Sequence, residues 1–261
     1  MGVWSSGASY DAYVGRWSRL VATGFLRWLD RPPGARWLDV GCGTGALAGA
    51  ILSTAAPTDV VGVDPSPGFV ARAAATVPDP RARFGVGDAR ALPVGDGWFD
   101  VAVSGLMLNV VAERTAVLCE MRRAVGPGGT VAAYVWDYPD GMQLMTAYWD
   151  TVLDLGLAEP TMHGAVRFGF CRPQALRAML AAAGLAGVDT TEIVVPTVYR
   201  TFDEFWSGFL GGTGFAPAHL AALPADQQLT LRDAVRERLP VADDGSIALT
   251  ARAWAVRGTA P

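Results

Sequence analysis

The stretch "RWLDVGCGTGALAGAIL", residues 36–52, constrains the fold of this chain more than any other. A short apolar run ends on three glycines, Gly41, Gly43 and Gly45, spaced two apart, and a helix of small residues follows. An apolar run without polar alternation suits a strand covered on both faces. Glycine at the turn lets the backbone bend tightly and bring N–H groups close to a ligand. The stretch fits G-x-G-x-x-A, with Ala46 last, which suits a dinucleotide, and equally the tighter G-x-G-x-G of another nucleoside cofactor. The glycines alone do not decide between them.

The same rhythm continues downstream. Helical spacing of Tyr13, Trp17, Leu20, Val21 and Phe25 predicts a helix over 10–29, and "RPPGAR" breaks it. "RWLDV" is the first strand and "GALAGAILST" the first crossover helix. "VVGVD", 60–64, is the second strand, followed by a helix with Ser66 as N-cap and Pro67 at its first position. "RFGVGD", 83–88, and "FDVAVSG" are the third and fourth strands. The helix "ERTAVLCEMRRAV" stops at "GPGG", and "TVAAYVW", 130–136, is the fifth strand. Strands alternating with helices over about 100 residues predict an α/β fold with a parallel sheet and right-handed crossovers. After Trp136 come an aromatic-rich stretch to residue 172, a helix, a strand at 188–199, an irregular helical stretch over 200–245 and a last alternating strand at 246–258.

Ligands of open α/β sheets bind at the carboxyl ends of the strands, and the residues there narrow the choice. Asp39 lies two residues before the glycine loop, where a carboxylate attracts a cationic amine and repels a pyrophosphate. Asp64 ends the second strand, about 20 residues past the glycines, and suits two ribose hydroxyls. Asp88 follows the third strand, where an acid accepts from an exocyclic amine such as that of adenine. Ser104-Gly105-Leu106 makes a small-residue turn after the fourth.

Taken together, "LDVGCGTG", "VVGVDPS", "GDAR", "FDVAVS" and "GPGGTVAAY" resemble, in order, the motifs of the class I S-adenosylmethionine-dependent methyltransferases, in particular the broad bacterial group of small-molecule and quinone-type enzymes. The resemblance covers residues 36–136 and extends loosely to the strands at 187–198 and 246–258. It implies a Rossmann-like, seven-stranded, mostly parallel sheet with helices on both faces, an antiparallel last strand and helical cap or lid insertions. The expected organisation is a single domain: an N-terminal helical cap over 1–35, a cofactor-binding core over 36–137, a first lid insert over 138–172, core again over 173–199, a second lid insert over 200–245 and the last strand over 246–261. The implied cofactor is S-adenosyl-L-methionine, with S-adenosyl-L-homocysteine as its product.

Carried over by position, Gly41, Cys42 and Gly43 pass the methionine part, with Asp39 near its amino group. Asp64 holds the ribose, and Pro65 and Ser66 pack beside the adenine. Asp88 accepts from the adenine amine, with Ala89 beside it. Ser104, Gly105 and Leu106 line the floor near the sulfonium, and Tyr13 and Arg16 cover the methionine end. Two departures bear on the acceptor: the fourth motif lacks the N-P-P-Y type sequence of amide methyltransferases, and no acid cluster of the catechol type is recognisable.

Methyl transfer needs alignment more than a catalytic residue, though a base helps with a hydroxyl or an acidic carbon. His163 and Asp137 are the candidates for a base; His163 reads first as a partly buried structural histidine and Asp137 as the residue that holds the turn "DYPDG". Asn109, Trp136, Trp149, Trp206 and Phe209 are candidate acceptor contacts, each with a packing or turn role as the competing reading. A second function class is a protein of the same fold that binds the cofactor but catalyses another reaction, such as a cyclisation, or only binds. A nicotinamide oxidoreductase leaves Asp39 and Asp88 without a role.

Composition removes other classes. Net charge is −4 and all 21 basic residues are arginine, without a basic cluster, which argues against a nucleic-acid partner. No apolar run reaches the roughly 18 residues of a membrane span. The three cysteines, Cys42, Cys119 and Cys171, are scattered and the two histidines lie far apart, so neither a disulfide framework nor a metal site is expected. With no charged and apolar leader in "MGVWSSGASYD", the expected location is the cytoplasm and the expected partner a small-molecule acceptor.

Overall fold

The computed structural model describes residues 16–211 and 214–261. Its seven strands are β1 (Arg36–Val40), β2 (Asp59–Asp64), β3 (Ala82–Val86), β4 (Phe99–Gly105), β5 (Val125–Trp136), β6 (Ala186–Tyr199) and β7 (Ile247–Thr259). They form one sheet in the order β3-β2-β1-β4-β5-β7-β6. β1 pairs in parallel with β2 and β4, and β4 with β5; β7 runs antiparallel to β5, from Thr130 opposite Thr259 to Trp136 opposite Ala253. This is the mostly parallel, seven-stranded architecture expected from the motifs.

By contact the chain divides into two compact units, one made of residues 19–136, 170–193 and 253–261. Strand order in it reverses between β1 and β4, because β1, β2 and β3 step one way across the sheet and β4 and β5 the other. Trp37, Leu38 and Val40 of β1 and Val101, Ala102 and Val103 of β4 are buried, as strands covered on both faces must be. The crossover helices are α2 (Ala46–Thr54), α3 (Pro67–Thr76) and α4 (Arg114–Ala124), preceded by α1 (Arg16–Leu29). Ser66 caps α3, its Oγ accepting from the Phe69 N–H at 3.4 Å with Pro67 at the first position. One local expectation is refined. "GPGG" ends α4 but lies inside β5: Phe99 pairs with Val125, and the ladder resumes only at Val101 with Thr130. The glycines bulge out of register, with Gly128 at φ +76° and its N–H bonded to the Ala260 carbonyl at 2.9 Å.

The other unit comprises residues 137–169 and 194–252, joined by the start of α1. Its helices are α5 (Gln143–Asp154), α6 (Gly164–Arg167), α8 (Phe202–Ser207), α9 (Phe215–Ala222) and α10 (Ala225–Arg238); α7 (Pro173–Ala182) belongs to the sheet-bearing unit. Aromatic rings fill its core. Phe209 stacks on Tyr148 at 4.7 Å, Trp206 stacks on Phe202 at 6.0 Å, and Phe205 meets Tyr199 edge-on at 5.2 Å.

Asp137 anchors this unit's first turn. It is 1% exposed, and its Oδ2 lies 2.7 Å from Nη2 of Arg252. Its Oδ1 accepts from the Asp140 N–H at 3.2 Å, and its carbonyl accepts from the Gly141 N–H at 2.8 Å. A side chain at Gly141 would press its Cβ to 2.8 Å from the Asp137 carboxylate, so the turn closes only over glycine. Removing one partner of a buried ion pair strands the other charge. Because Arg252 keeps 30% side-chain exposure, part of that penalty is relieved by water. Asp137→Ala is expected to destabilise the protein by about 2 kcal/mol in urea denaturation, and the double variant Asp137→Ala, Arg252→Met is expected to recover part of the loss. An additive double variant would show that the pair contributes nothing.

Candidate functional site

The carboxyl ends of β1, β2, β4 and β5 face the same edge of the sheet, because these strands run in parallel. The glycine loop leaves β1 there. The N–H groups of Gly41 and Cys42 both donate to the Val63 carbonyl, at 2.8 and 3.1 Å, which pins the loop to β2. Gly41, Gly43 and Gly45 have φ of +75°, +52° and +88°, a conformation in which L side chains are strained. Their surroundings differ. A Cβ on Gly41 would come within 2.5 Å of the Met107 side chain, whereas a Cβ on Gly43 would meet no atom of the described residues within 4 Å. Gly43 therefore presents its backbone to open space, where a ligand can approach.

Two carboxylates converge on this loop. Asp64, 7% exposed, receives the Gly43 N–H at 3.0 Å on Oδ2 and the Ser66 N–H at 2.9 Å on Oδ1. Each oxygen retains capacity to accept a further hydrogen bond. Burial raises its carboxyl above the usual carboxylate range, and the two amides partly offset this. Asp39 is 1% exposed, and neither of its oxygens has a hydrogen-bond partner among the described residues. Burial pushes its carboxyl up to about 7; the Ala48 amide, outside bonding geometry, offsets part of this, and nearby Asp64 adds to it. An unpartnered buried carboxylate is costly and calls for a cation or a donor from outside the chain. The ammonium of an amino acid moiety fits that demand, and a pyrophosphate does not. The donor set thus suits S-adenosylmethionine.

The remaining cofactor candidates have these places. Cys42 is buried, and burial together with Asp39 and Asp64 pushes its thiol pKa up, so it is a small packing residue here and not a thiolate. Asp88 is exposed and gripped by Arg90, whose Nη2 and Nε lie 2.7 and 3.0 Å from its oxygens; the Arg90 hydrogen bonds hold its carboxyl down at about 2. Ala89 beside it is buried. Ser104 is buried and donates from Oγ to the Val40 carbonyl at 2.9 Å, tying the end of β4 to β1. Gly105 packs under Tyr134, whose Oη would lie 2.5 Å from any Cβ there. Leu106 adopts φ +64°, a left-handed turn that a non-glycine residue takes only when its surroundings enforce it. Pro65 follows Asp64 directly, and Ser66 caps α3. Tyr13 lies outside the described residues, as does the side chain of Arg16.

Among the candidate bases and acceptor contacts, His163 caps α6, its Nδ1 accepting from the Ala165 N–H at 3.1 Å. Its Nε2 faces Asp150 at 3.1 Å, so both ring nitrogens are engaged in contacts within the helical unit. The Asp137 carboxylate is held by Arg252. Asn109 is buried; its Oδ1 accepts from the Trp136 N–H at 3.0 Å, and its Nδ2 lies 3.4 Å from the Trp136 carbonyl and 3.2 Å from Cys171 Sγ. It thus finishes the end of β5. Trp136, Trp206 and Phe209 are buried in packing, and Trp149 lines a narrow cavity in the helical unit. Arg167, which sequence reasoning passed over, lines the same cavity. Among the described residues, no helix is long and apolar enough to cross a membrane and no group of acids, histidines and cysteines is placed to hold a metal ion.

The Asp39 carboxyl links site to stability. Its folded-state pKa of about 7 exceeds the model-peptide 3.8, so the folded chain holds a proton that the unfolded chain has lost between those values. This contribution is complete below pH 3.8 and is lost as pH rises to about 7, by roughly 4 kcal/mol. Asp39→Asn is therefore expected to be more stable than the cofactor-free wild type at pH 8 and close to it at pH 4, measured by urea denaturation. A constant difference across pH would remove Asp39 from this role.

Comparison with known proteins bears on the family of the chain. The methyltransferase-domain family matches residues 38–133. The 2-methyl-6-phytyl-1,4-hydroquinone methyltransferase of Synechocystis sp. is 33% identical over 187 residues, 70% of this chain and 57% of that protein, so the match spans little more than half of that relative. The demethylmenaquinone methyltransferase of Thermus thermophilus is 33% identical over 191 residues, 65% of this chain and 86% of that protein. In fold, the chain is similar to phosphoethanolamine N-methyltransferase 2 of Haemonchus contortus solved with S-adenosyl-L-methionine, with a TM-score of 0.54 at 18% identity over 94% of this chain and 53% of that one. The chain belongs to the class I S-adenosylmethionine-dependent methyltransferases.

Proposed function

We propose that this chain transfers the methyl group of S-adenosylmethionine to a small aromatic acceptor by in-line displacement. The observation that carries the reading is the pair of buried carboxylates at the ends of β1 and β2, one of them without a hydrogen-bond partner among the described residues, beside a glycine loop with room for a ligand. Asp39 takes the cofactor's ammonium. Asp64 takes the ribose hydroxyls on the acceptor capacity its two amide bonds leave. Gly41, Cys42 and Gly43 pass the methionine chain, and the turn Ser104-Gly105-Leu106 forms the floor. Pro65, Ser66 and Ala89 pack beside the adenine, and Asp88 receives its amine once the Arg90 pair makes room.

When bound, the cofactor supplies a methyl group already activated on a sulfonium. The protein's work is to align the acceptor, exclude water and let the acceptor's own proton leave. His163 and Asp137 are engaged in structural bonds, so the reading assigns no side chain as obligatory base and favours an acceptor that is nucleophilic once ionised. The aromatic acceptor is supported by the names of the two relatives above, both of which act on quinone-type rings, and by the aromatic lining of the helical unit. We assign acceptor binding to that unit, which holds most of the two lid inserts over 138–172 and 200–245. The acceptor atom stays open between oxygen, nitrogen and carbon. The acceptor is a small molecule and not a nucleic acid, and the setting is the cytoplasm.

Calorimetry with S-adenosylmethionine and its product tests the cofactor reading. Asp64→Ala is expected to bind at least tenfold more weakly, because the loss of two hydrogen bonds to a charged acceptor costs roughly 2–4 kcal/mol. Equal affinity would remove Asp64 from the site, and tighter binding of NAD would overturn the assignment. Incubation with methyl-labelled cofactor and a hydroquinone should release S-adenosylhomocysteine and a labelled ring product.

A further inference from the structure

The loop after β3 carries an arginine set between two carboxylates. Asp88 opens the loop and Arg90 grips it: Nη2 lies 2.7 Å from Oδ2, and Nε lies 3.0 and 3.1 Å from the two oxygens. The Arg90 backbone N–H adds a bond to Oδ1 at 2.8 Å. On the other side, Arg90 Nη1 lies 3.2 Å from Oε1 of Glu113, the residue before α4. No other bond to the Glu113 side chain is present among the described residues. All three side chains are about half exposed, at 48% for Arg90, 47% for Asp88 and 54% for Glu113.

Other groups fasten the backbone around them. The Gly87 N–H donates to the Asp64 carbonyl at 3.1 Å, and the Ala91 N–H donates to the Asp88 carbonyl at 3.0 Å, closing a turn. The Leu92 N–H donates to Oε2 of Glu120 at 2.8 Å, and Nη2 of Arg123 donates to the Leu92 carbonyl at 3.0 Å. The loop therefore does not depend on the Arg90 side chain for its shape. With that side chain withdrawn, the Arg90 amide on Oδ1 still aims the carboxylate.

A carboxylate offers about four lone-pair sites. The guanidinium fork and the amide make two contacts on each oxygen of Asp88 and fill them. An exocyclic amine must compete with the fork for this acid. Protonation does not open the site, because the Arg90 hydrogen bonds hold the Asp88 carboxyl at about 2. An exchange of donors does, and Glu113 offers the displaced guanidinium a second carboxylate that it already touches.

We propose that Arg90 is a latch on the adenine subsite: it holds Asp88 in the ligand-free protein, passes to Glu113 when the adenine amine takes Asp88, and thereby sets which base is preferred. This rests on the assignment of Asp88 to the adenine amine. A base with an oxo group in place of the amine offers Asp88 no donor there but accepts from the Arg90 fork. The residue that opposes adenine thus supports an oxo base, and Arg90 is a positioning residue towards adenine, acting only through Asp88.

Calorimetry on the whole chain reads this with S-adenosylhomocysteine and S-inosylhomocysteine, whose base carries an oxo group where adenine has its amine. Arg90→Met keeps the apolar stem and removes the fork. It is expected to bind the adenosyl probe about threefold more tightly at low salt, the scale of an exposed ion pair, and the inosyl probe no more tightly than the wild type does. The gain should fall below twofold at about 0.5 M salt, where such a pair is screened. Arg90→Gln should shift both probes in the same directions, which keeps the test open if the methionine variant fails to fold. Glu113→Gln should weaken the adenosyl probe about twofold in the wild type and have no effect beside Arg90→Met, since it acts only through Arg90. Equal gains for both probes, a loss of adenosyl affinity on removing the fork, or an effect of Glu113→Gln that persists without Arg90 would overturn the latch while the cofactor reading stands. If S-adenosylhomocysteine fails to bind the wild type, the cofactor reading itself fails. If it binds and Asp88→Ala leaves its affinity unchanged, the adenine assignment of Asp88 falls, and the latch with it.

Discussion

The structure depends on how two carboxylates can sit at the ends of adjacent parallel strands in a nearly dry site. β1 and β2 are in register, so Asp39 and Asp64 arrive at the same edge of the sheet. Asp64 answers its burial from within: two backbone amides, from Gly43 and Ser66, approach its two oxygens. Asp39 is not answered, and burial drives its carboxyl towards the protonated form at neutral pH. A chain of marginal stability retains such a group when something outside it takes the charge. On the proposed reading this acid faces the cofactor, and its cost appears in the ligand-free protein.

The glycine loop follows from the same arrangement. To let Asp64 hold the Gly43 amide, the backbone after β1 must turn through positive φ and lie on β2, where Val63 receives the two N–H groups of Gly41 and Cys42. Gly41 cannot carry a side chain because Met107 fills that space, whereas a Cβ at Gly43 would meet no described atom within 4 Å. Gly41 and Gly43 therefore answer different demands, packing at the first and, on the proposed reading, ligand approach at the second. Ser104 and Leu106 complete the edge from the next strand, one by a buried hydroxyl bond to β1 and the other by a strained turn.

Much of the sheet-bearing unit is legible in the sequence. Its strands are uninterrupted apolar runs ended by acids or glycines, and both signals are local, so Asp39, Asp64 and the glycines could be picked out from spacing. What escaped was non-local. The bulge inside "GPGG" depends on where Phe99 and Val101 lie on the neighbouring strand. The pairing of Asp137 with Arg252 joins residues 115 apart in sequence. His163 reads the same as a base or as a cap until the Ala165 amide is seen on its ring. In the helical unit, a tryptophan announces burial but not its partner, so Trp206 and Phe209 in the core and Trp149 on the cavity were indistinguishable. Arg167 carried no signal at all, since one arginine among 21 is marked only by the rings around it.

The central claim is that Asp39 is the counter-ion of the cofactor's ammonium. Calorimetry of S-adenosylhomocysteine binding, repeated in buffers of different ionisation enthalpy, counts the protons released. With a free-protein pKa of about 7 and an ionised carboxylate in the complex, binding at pH 6 should release about 0.9 proton and at pH 8 about 0.1, and Asp39→Asn should lose this difference. Affinity of the wild type should fall about tenfold from pH 8 to pH 6. Equal proton release in wild type and Asp39→Asn would contradict the account.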